Sequence, residues 1–194
     1  MQAPEQEGMA ALEHLNPKTM VVRNYKELLK DITTLIFDYD GVFTEGKVLL
    51  LENGDQLRTA NVKDGYALQL AIKKGYRLAV ISGGTSKSIK VRLEKLGMDD
   101  VFIRVEHKIQ VFNEYLEKNK LSRKEVLFMG DDIPDYQIMK EVGVAVCPVD
   151  AAEEIKSISH YISHFKGGDG CVRDILEQVM KVQGRWMNDD AFLW

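Results

Sequence analysis

The chain has 194 residues, 45% apolar and 29% charged, a balance that supports a real core, excludes wholesale disorder and leaves little room for a second full-sized domain. Its 26 basic and 30 acidic side chains leave a net charge of −4, so nothing in the charge asks for nucleic acid or an anionic membrane surface. No apolar run approaches the ~18 residues of a membrane span. Two cysteines, Cys147 and Cys171, form no CxxC pair and no disulfide framework, which fits a reducing, cytoplasmic setting.

Residues 1–20 have neither a basic start nor a long apolar stretch, and with Pro4, Gly8 and Pro17 they read as a flexible lead-in, with at most a helical turn at 10–15. From residue 21 to 183 a single domain is expected. Short aliphatic runs at 34–37, 78–81, 101–103, 126–129 and 144–146, with Tyr161-Ile162 as a weaker sixth, alternate with helix-period segments. Ile89, Leu93 and Leu96 mark one helix, Ile109, Phe112 and Leu116 another, and Val172, Ile175, Leu176, Val179 and Met180 the last. This alternation is the signature of a parallel sheet with helices on both faces, a three-layer α/β arrangement. One segment breaks it. Residues 46–60 hold two apolar stretches around Asn53-Gly54, a pair suited to a type I′ turn, so a β-hairpin projects after the first strand. The tail at 184–194 carries Trp186, Phe192 and Trp194, which would either dock on a neighbouring subunit or fray.

In an open α/β sheet ligands bind beyond the carboxyl ends of the strands. The residues there are Asp38, Asp40 and Gly41 after the first run, Ser82-Gly83-Gly84 after the second, Lys108 a few residues past the third, and Gly130 to Asp135 after the fourth. Asp38 and Asp40 leave an extended chain on the same face. With Asp131 they place three carboxylates together, whose repulsion a hard, oxygen-seeking cation such as Mg²⁺ relieves while sharing its remaining positions with a phosphate. Ser82, the amides of Gly83 and Gly84 at a helix start, and the Lys108 ammonium would then hold phosphoryl oxygens. Each element alone is an ordinary solvated turn or cap; their joint occurrence at successive strand ends points to a magnesium-phosphate site. His160 and His164 lack the glutamate of an HExxH pair and read as surface residues, and neither a P-loop nor a GxGxxG motif is present.

Asp38-Tyr-Asp-Gly-Val42, Ile81-Ser-Gly83, Lys108 and Gly130-Asp-Asp-Ile-Pro-Asp135 resemble the four motifs of the haloacid dehalogenase-like phosphatase superfamily. The hairpin with Glu52-Asn-Gly54, then Asn61-Val-Lys-Asp-Gly-Tyr66, Gly167 to Asp174 and Val182 to Trp186, are similar to the 3-deoxy-D-manno-octulosonate (KDO) 8-phosphate phosphatase family within it. The resemblance implies a Rossmann-like core in which the hairpin stands in place of a cap domain, assembled as a homotetramer. It also implies a Mg²⁺-dependent phosphatase of lipopolysaccharide sugar biosynthesis, acting on a phosphorylated sugar acid through an aspartyl-phosphate. Asp38 would be nucleophile and metal ligand, Asp40 the general acid and base and a ligand through its backbone carbonyl, and Asp131 the third ligand, with Asp132 and Asp135 behind them. Ser82, Gly83 and Lys108 would hold the phosphoryl group, while Asn61, Val62, Lys63, Asp64, Gly65 and Arg92 would touch substrate.

Three departures bear on the substrate: Gly84 and Lys63 stand where arginine is frequent in the family, and Asp169 where a basic residue is common. A nine-carbon keto acid phosphate is the rival substrate. A phosphoryl receiver or a silent scaffold is the rival of another class, although the late acidic loop and the hairpin count against a receiver and the intact Asp38 and Asp40 against a scaffold.

Overall fold

The computed structural model describes residues 24–192; the lead-in expected over 1–20 lies outside them, as does Trp194. A six-stranded sheet forms in the order β5-β4-β1-β6-β7-β8. Its strands are β1 (Thr34–Phe37), β4 (Arg77–Ile81), β5 (Asp100–Phe102), β6 (Val126–Met129), β7 (Val144–Cys147) and β8 (Tyr161–Ile162). All neighbours pair in parallel, with Phe37 of β1 in register with Val80 of β4 and Met129 of β6. All four residues of β1, β6 and β7 are buried, because a parallel sheet is covered on both faces and each side of the pleat needs apolar side chains.

The pleat divides the core in two. Leu35, Phe37, Val80, Met129 and Val146 pack with Leu68, Ile89 and Val172, residues of α2 (Val62–Lys73), α3 (Lys87–Lys95) and α7 (Cys171–Val182). Ile36, Ile81, Phe128 and Ala145 pack with Phe112, Ile138 and Ile155, residues of α4 (Lys108–Asn119), α5 (Tyr136–Met139) and α6 (Glu153–Ile158). The three-layer arrangement expected from the sequence is the one observed, the weak sixth strand included. Helix α2 has no clean stripe in the sequence: it lies against α7, and Ala67, Leu68, Leu70 and Ala71 are all buried. A short α1 (Tyr25–Leu28) precedes the sheet, capped by the Asn24 side chain. Among the described residues no helix is long and apolar enough to cross a membrane.

The hairpin is present but shorter than expected. Strands β2 (Leu49–Leu50) and β3 (Gln56–Leu57) pair antiparallel, Leu49 opposite Leu57 and Leu50 opposite Gln56. The type I′ turn at Asn53-Gly54 does not form: Gly54 has φ +86° while Asn53 stays on the negative side. The loop runs from 51 to 55 instead, with Gly54 N–H donating to Leu51 O and Leu51 N–H to Asp55 O, both at 2.9 Å. The Asn53 side chain accepts from Asp55 N–H and donates to the Asp55 carboxylate, an Asx closure that supplies locally what a tight turn would have supplied.

Two further features position the site. Gly167 and Gly168 press backbone to backbone on the loop after β1: a Cβ at Gly167 would fall within 2.9 Å of both Gly41 O and Thr44 O. Gly168 N–H donates to Val42 O at 2.9 Å. In the tail, Trp186 packs on its own chain; the Arg173 guanidinium sits 5.4 Å from its ring and 5.5 Å from that of Tyr66. Phe192 remains exposed.

Candidate active site

From β1 the chain passes to β4 and β5 on one side and then crosses to β6 on the other, so the strand order reverses at β1. A crevice opens at such a switch point because the connections diverge from it to opposite faces. Here it is a cleft of about 440 Å³ lined by Asp38, Asp40, Ser82, Gly83, Lys108 and Asp131, with Gly84, Asp132 and Asp135 also on its wall. Residues called from four separate strand ends thus share one cavity.

Asp38 directly follows β1, and its N–H continues the ladder by donating to Met129 O at 2.9 Å. Lys108, the first residue of α4, is buried and bridges two carboxylates, Asp38 at 2.8 Å and Asp135 at 2.7 Å. Burial alone would lower the pKa of this ammonium; the two flanking carboxylates outweigh it, and the net shift is upward. Burial, aided by the charge of Asp135, pushes Asp38 up to about 7 against the opposing pull of Lys108. Asp131 is raised further, to about 8, by burial and then by the charges of Asp38 and Asp135.

Asp38, Asp131 and Asp135 each offer an oxygen within 4.8 Å of the others, and Asp131 Oδ1 is buried without a hydrogen-bond partner among the described residues. A buried carboxylate oxygen left unpaired is costly unless a cation takes it. All the donors are hard oxygens, so the residues present fit a hard divalent cation such as Mg²⁺. Asp135 is more central than its expected place behind the site: besides the bond to Lys108, it accepts from Asp131 N–H at 3.2 Å. Asp132 lies at the edge, its side chain accepting from Ile133 N–H.

Gly41 makes the arrangement sterically feasible. It has φ +88°, and a Cβ there would fall within 2.8 Å of all three carboxyl atoms of Asp131. Ser82, just beyond β4, is buried, and its Oγ accepts from Gly84 N–H at 3.0 Å. The glycine pair is not at a helix start, contrary to expectation: α3 begins only at Lys87, so residues 83–86 form a loop. The Gly84 amide is directed at Ser82, and Gly83 lines the cleft.

Asp40 makes the contact that sequence reasoning missed. Arg58, next to β3, donates from Nε to Asp40 Oδ1 at 2.6 Å and from Nη2 to Oδ2 at 3.0 Å. A lone arginine on an exposed hairpin carries no motif; the only signal was that the hairpin rises beside the strand end that holds Asp40. The remaining expected residues divide. Asn61 caps α2 by accepting from Lys63 N–H, donates to Gly168 O, and receives Arg92 Nη2 on its carbonyl at 3.4 Å. Val62 and Lys63 face solvent, and Gly65 is buried against Arg92 and Leu96. Asp64 turns inward to α7, accepting from Arg173 N–H at 2.8 Å, and burial raises its pKa to about 6.

Parallel sheet, switch-point cleft and clustered carboxylates fit a haloacid dehalogenase-like hydrolase, and a family model of that description matches residues 65–149. The 3-deoxy-D-manno-octulosonate 8-phosphate phosphatase KdsC of Salmonella typhi is 31% identical over 156 residues, 80% of this chain and 83% of that one. The chain belongs to this phosphatase family. Among solved structures, the Yersinia pestis enzyme of that name superposes with a TM-score of 0.82 at 28% identity, covering 84% of this chain and 88% of the other. The Moraxella catarrhalis enzyme, solved with a magnesium ion, a phosphate ion and a KDO molecule, gives 0.81 at 26% identity, covering 83% and 92%.

Proposed function

We propose that the chain is a Mg²⁺-dependent phosphatase that hydrolyses 3-deoxy-D-manno-octulosonate 8-phosphate to the free sugar acid and inorganic phosphate. The observation that carries this reading is Asp38, held by Lys108 at 2.8 Å beside an Asp131 oxygen without a partner among the described residues, in a cleft whose wall includes Ser82. The names of the relatives supply the substrate.

The assigned roles are as follows. An oxygen of Asp38 attacks phosphorus in line, the ester P–O bond breaks, and an aspartyl-phosphate forms, which splits one difficult hydrolysis into two easier steps. Asp40 gives its proton to the departing sugar oxygen; as a carboxylate it then takes a proton from the water that attacks phosphorus and frees Asp38. Lys108 and the Ser82 hydroxyl orient the phosphoryl oxygens, with the backbone of Gly83 beside them. Mg²⁺ held by the carboxylates of Asp38 and Asp131 and the carbonyl of Asp40 supplies charge neutralisation between nucleophile and phosphoryl anion. Asn61 to Gly65 and Arg92 are assigned to the sugar acid, although none of them lines the cleft around Asp38 and Asp64 is turned to α7. The exposed apolar hairpin, with Leu49 62%, Leu50 72% and Leu57 50% exposed, supports association between copies of the chain, and the family resemblance makes that assembly a homotetramer. Such an activity belongs to lipopolysaccharide sugar biosynthesis in the cytoplasm.

The test is a phosphate-release screen with Mg²⁺ across the eight-carbon and nine-carbon keto acid phosphates, hexose phosphates and nucleotides. The eight-carbon ester is expected to give the highest kcat/KM. A preference for the nine-carbon ester shifts the substrate and keeps the chemistry; undiminished turnover in excess chelator removes magnesium from it.

A further inference from the structure

Arg58 reaches Asp40 from outside the sheet, across 18 residues of sequence. Its side chain is only 8% exposed, although it adjoins Gln56 and Leu57 on a strand that lies in solvent. The contact is side-on and two-point, both oxygens of Asp40 meeting a nitrogen of the same planar group. Such a fork fixes the plane of a carboxylate as well as its place, which a lysine would not do. The third nitrogen, Nη1, is buried without a hydrogen-bond partner among the described residues. The guanidinium is therefore placed for Asp40 and not for its own donors, since a buried unpaired donor works against the fold.

On the other side Asp40 is open. A Cβ at Gly84 would lie 3.1 Å from Asp40 Oδ2, so the glycine leaves that oxygen clear toward the cleft. A proton donor must present one lone-pair direction to the ester oxygen, and an ångström of misplacement costs about 10²-fold in rate. One face of the carboxylate is gripped and the other is free.

We propose that Arg58 is the positioning residue of Asp40: the hairpin sets the orientation of the carboxylate that handles the proton, so hairpin placement and proton transfer are linked through one ion pair. The proposal rests on the reading of Asp40 as proton donor. A merely structural Arg58, stapling the hairpin down, would affect every substrate alike.

The full-length chain in Mg²⁺ is compared as wild type, Arg58→Ala, Arg58→Lys, Asp40→Asn and the Ala/Asn double variant. Single-turnover release of the alcohol is followed for the sugar phosphate and for p-nitrophenyl phosphate, whose leaving group needs little protonation. Arg58→Ala is expected to slow the sugar ester by about 10²-fold and the aryl ester by less than about tenfold. In the Asp40→Asn background it should add little, because residues acting as a unit are not additive. Arg58→Lys, which keeps the charge and loses the fork, should recover only part of the rate, and it carries the comparison if the alanine variant does not fold. Equal losses on both esters, or additive losses in the double variant, overturn the proposal. If Asp40→Asn itself slows both esters equally, the reading of Asp40 fails, and that outcome is distinct from an Arg58 failure.

Discussion

Replacing Gly41 by alanine tests the metal site through sterics alone, without removing a ligand. The added methyl would fall within 2.8 Å of all three carboxyl atoms of Asp131, where ordinary contact begins at 3.4 Å. The farthest atom must therefore recede by at least about 0.6 Å, beyond the ±0.2 Å within which metal–ligand distances are held. Alanine at φ +88° also carries a backbone penalty of about 1–2 kcal/mol. The two effects are separable, because Gly54 has nearly the same φ, +86°, with nothing within 4 Å of its Cβ position. Gly54→Ala should reproduce the backbone penalty in thermal unfolding while keeping Mg²⁺ binding. Gly41→Ala should weaken Mg²⁺ by about 10²-fold or more, the scale of a disturbed ligand shell, measured by calorimetric titration and by the Mg²⁺ dependence of phosphate release. A Gly41→Ala protein with wild-type Mg²⁺ affinity would show that Asp131 does not hold the ion.

Other outcomes follow from the same geometry. Asp38→Asn should abolish phosphate release, and Asp40→Asn should slow it by about 10² to 10⁴-fold, the usual value of an acid/base role; near-normal turnover of Asp38→Asn in a malachite-green assay would end the nucleophile assignment. Asp64 has its folded pKa raised from 3.8 to about 6. The unfolded chain loses that proton first, so the group's contribution is full below about pH 4 and is lost as pH rises through 6, by at most about 3 kcal/mol. Asp64→Asn should flatten this slope between pH 4 and 6 in urea unfolding; an unchanged slope refutes the assignment. Leu50→Glu, at a position 72% exposed, should lower the mass found by light scattering with little change in melting temperature, and an unchanged mass would free the hairpin from assembly.

The sheet was legible because burial on both faces demands uninterrupted apolar runs, and the runs at 34–37 and 126–129 coincide with β1 and β6. The carboxylates of the cleft were legible for a related reason: Asp38 comes immediately after one such run and Asp131 one residue beyond another. Helix α2 was not, because contact with both sheet and α7 blurs its periodicity. The start of α3 was misplaced because a glycine pair after a strand looks like a helix opening, while the intervening loop is set by the Ser82 hydroxyl and by Arg104 N–H on Gly84 O. The turn at Asn53 followed side-chain hydrogen bonds that a dipeptide rule does not weigh. Arg58 was invisible because its meaning lies in a tertiary contact, and a charged residue on an exposed strand is in most proteins only solvated.

The seam where Gly167 and Gly168 lie on the loop after β1 orders events in time. Asp38 is synthesised early, but the turn that carries Asp40 is sealed by residues from the last fifth of the chain. A nascent polypeptide still lacking that stretch can assemble its first strands while its cavity has no finished wall.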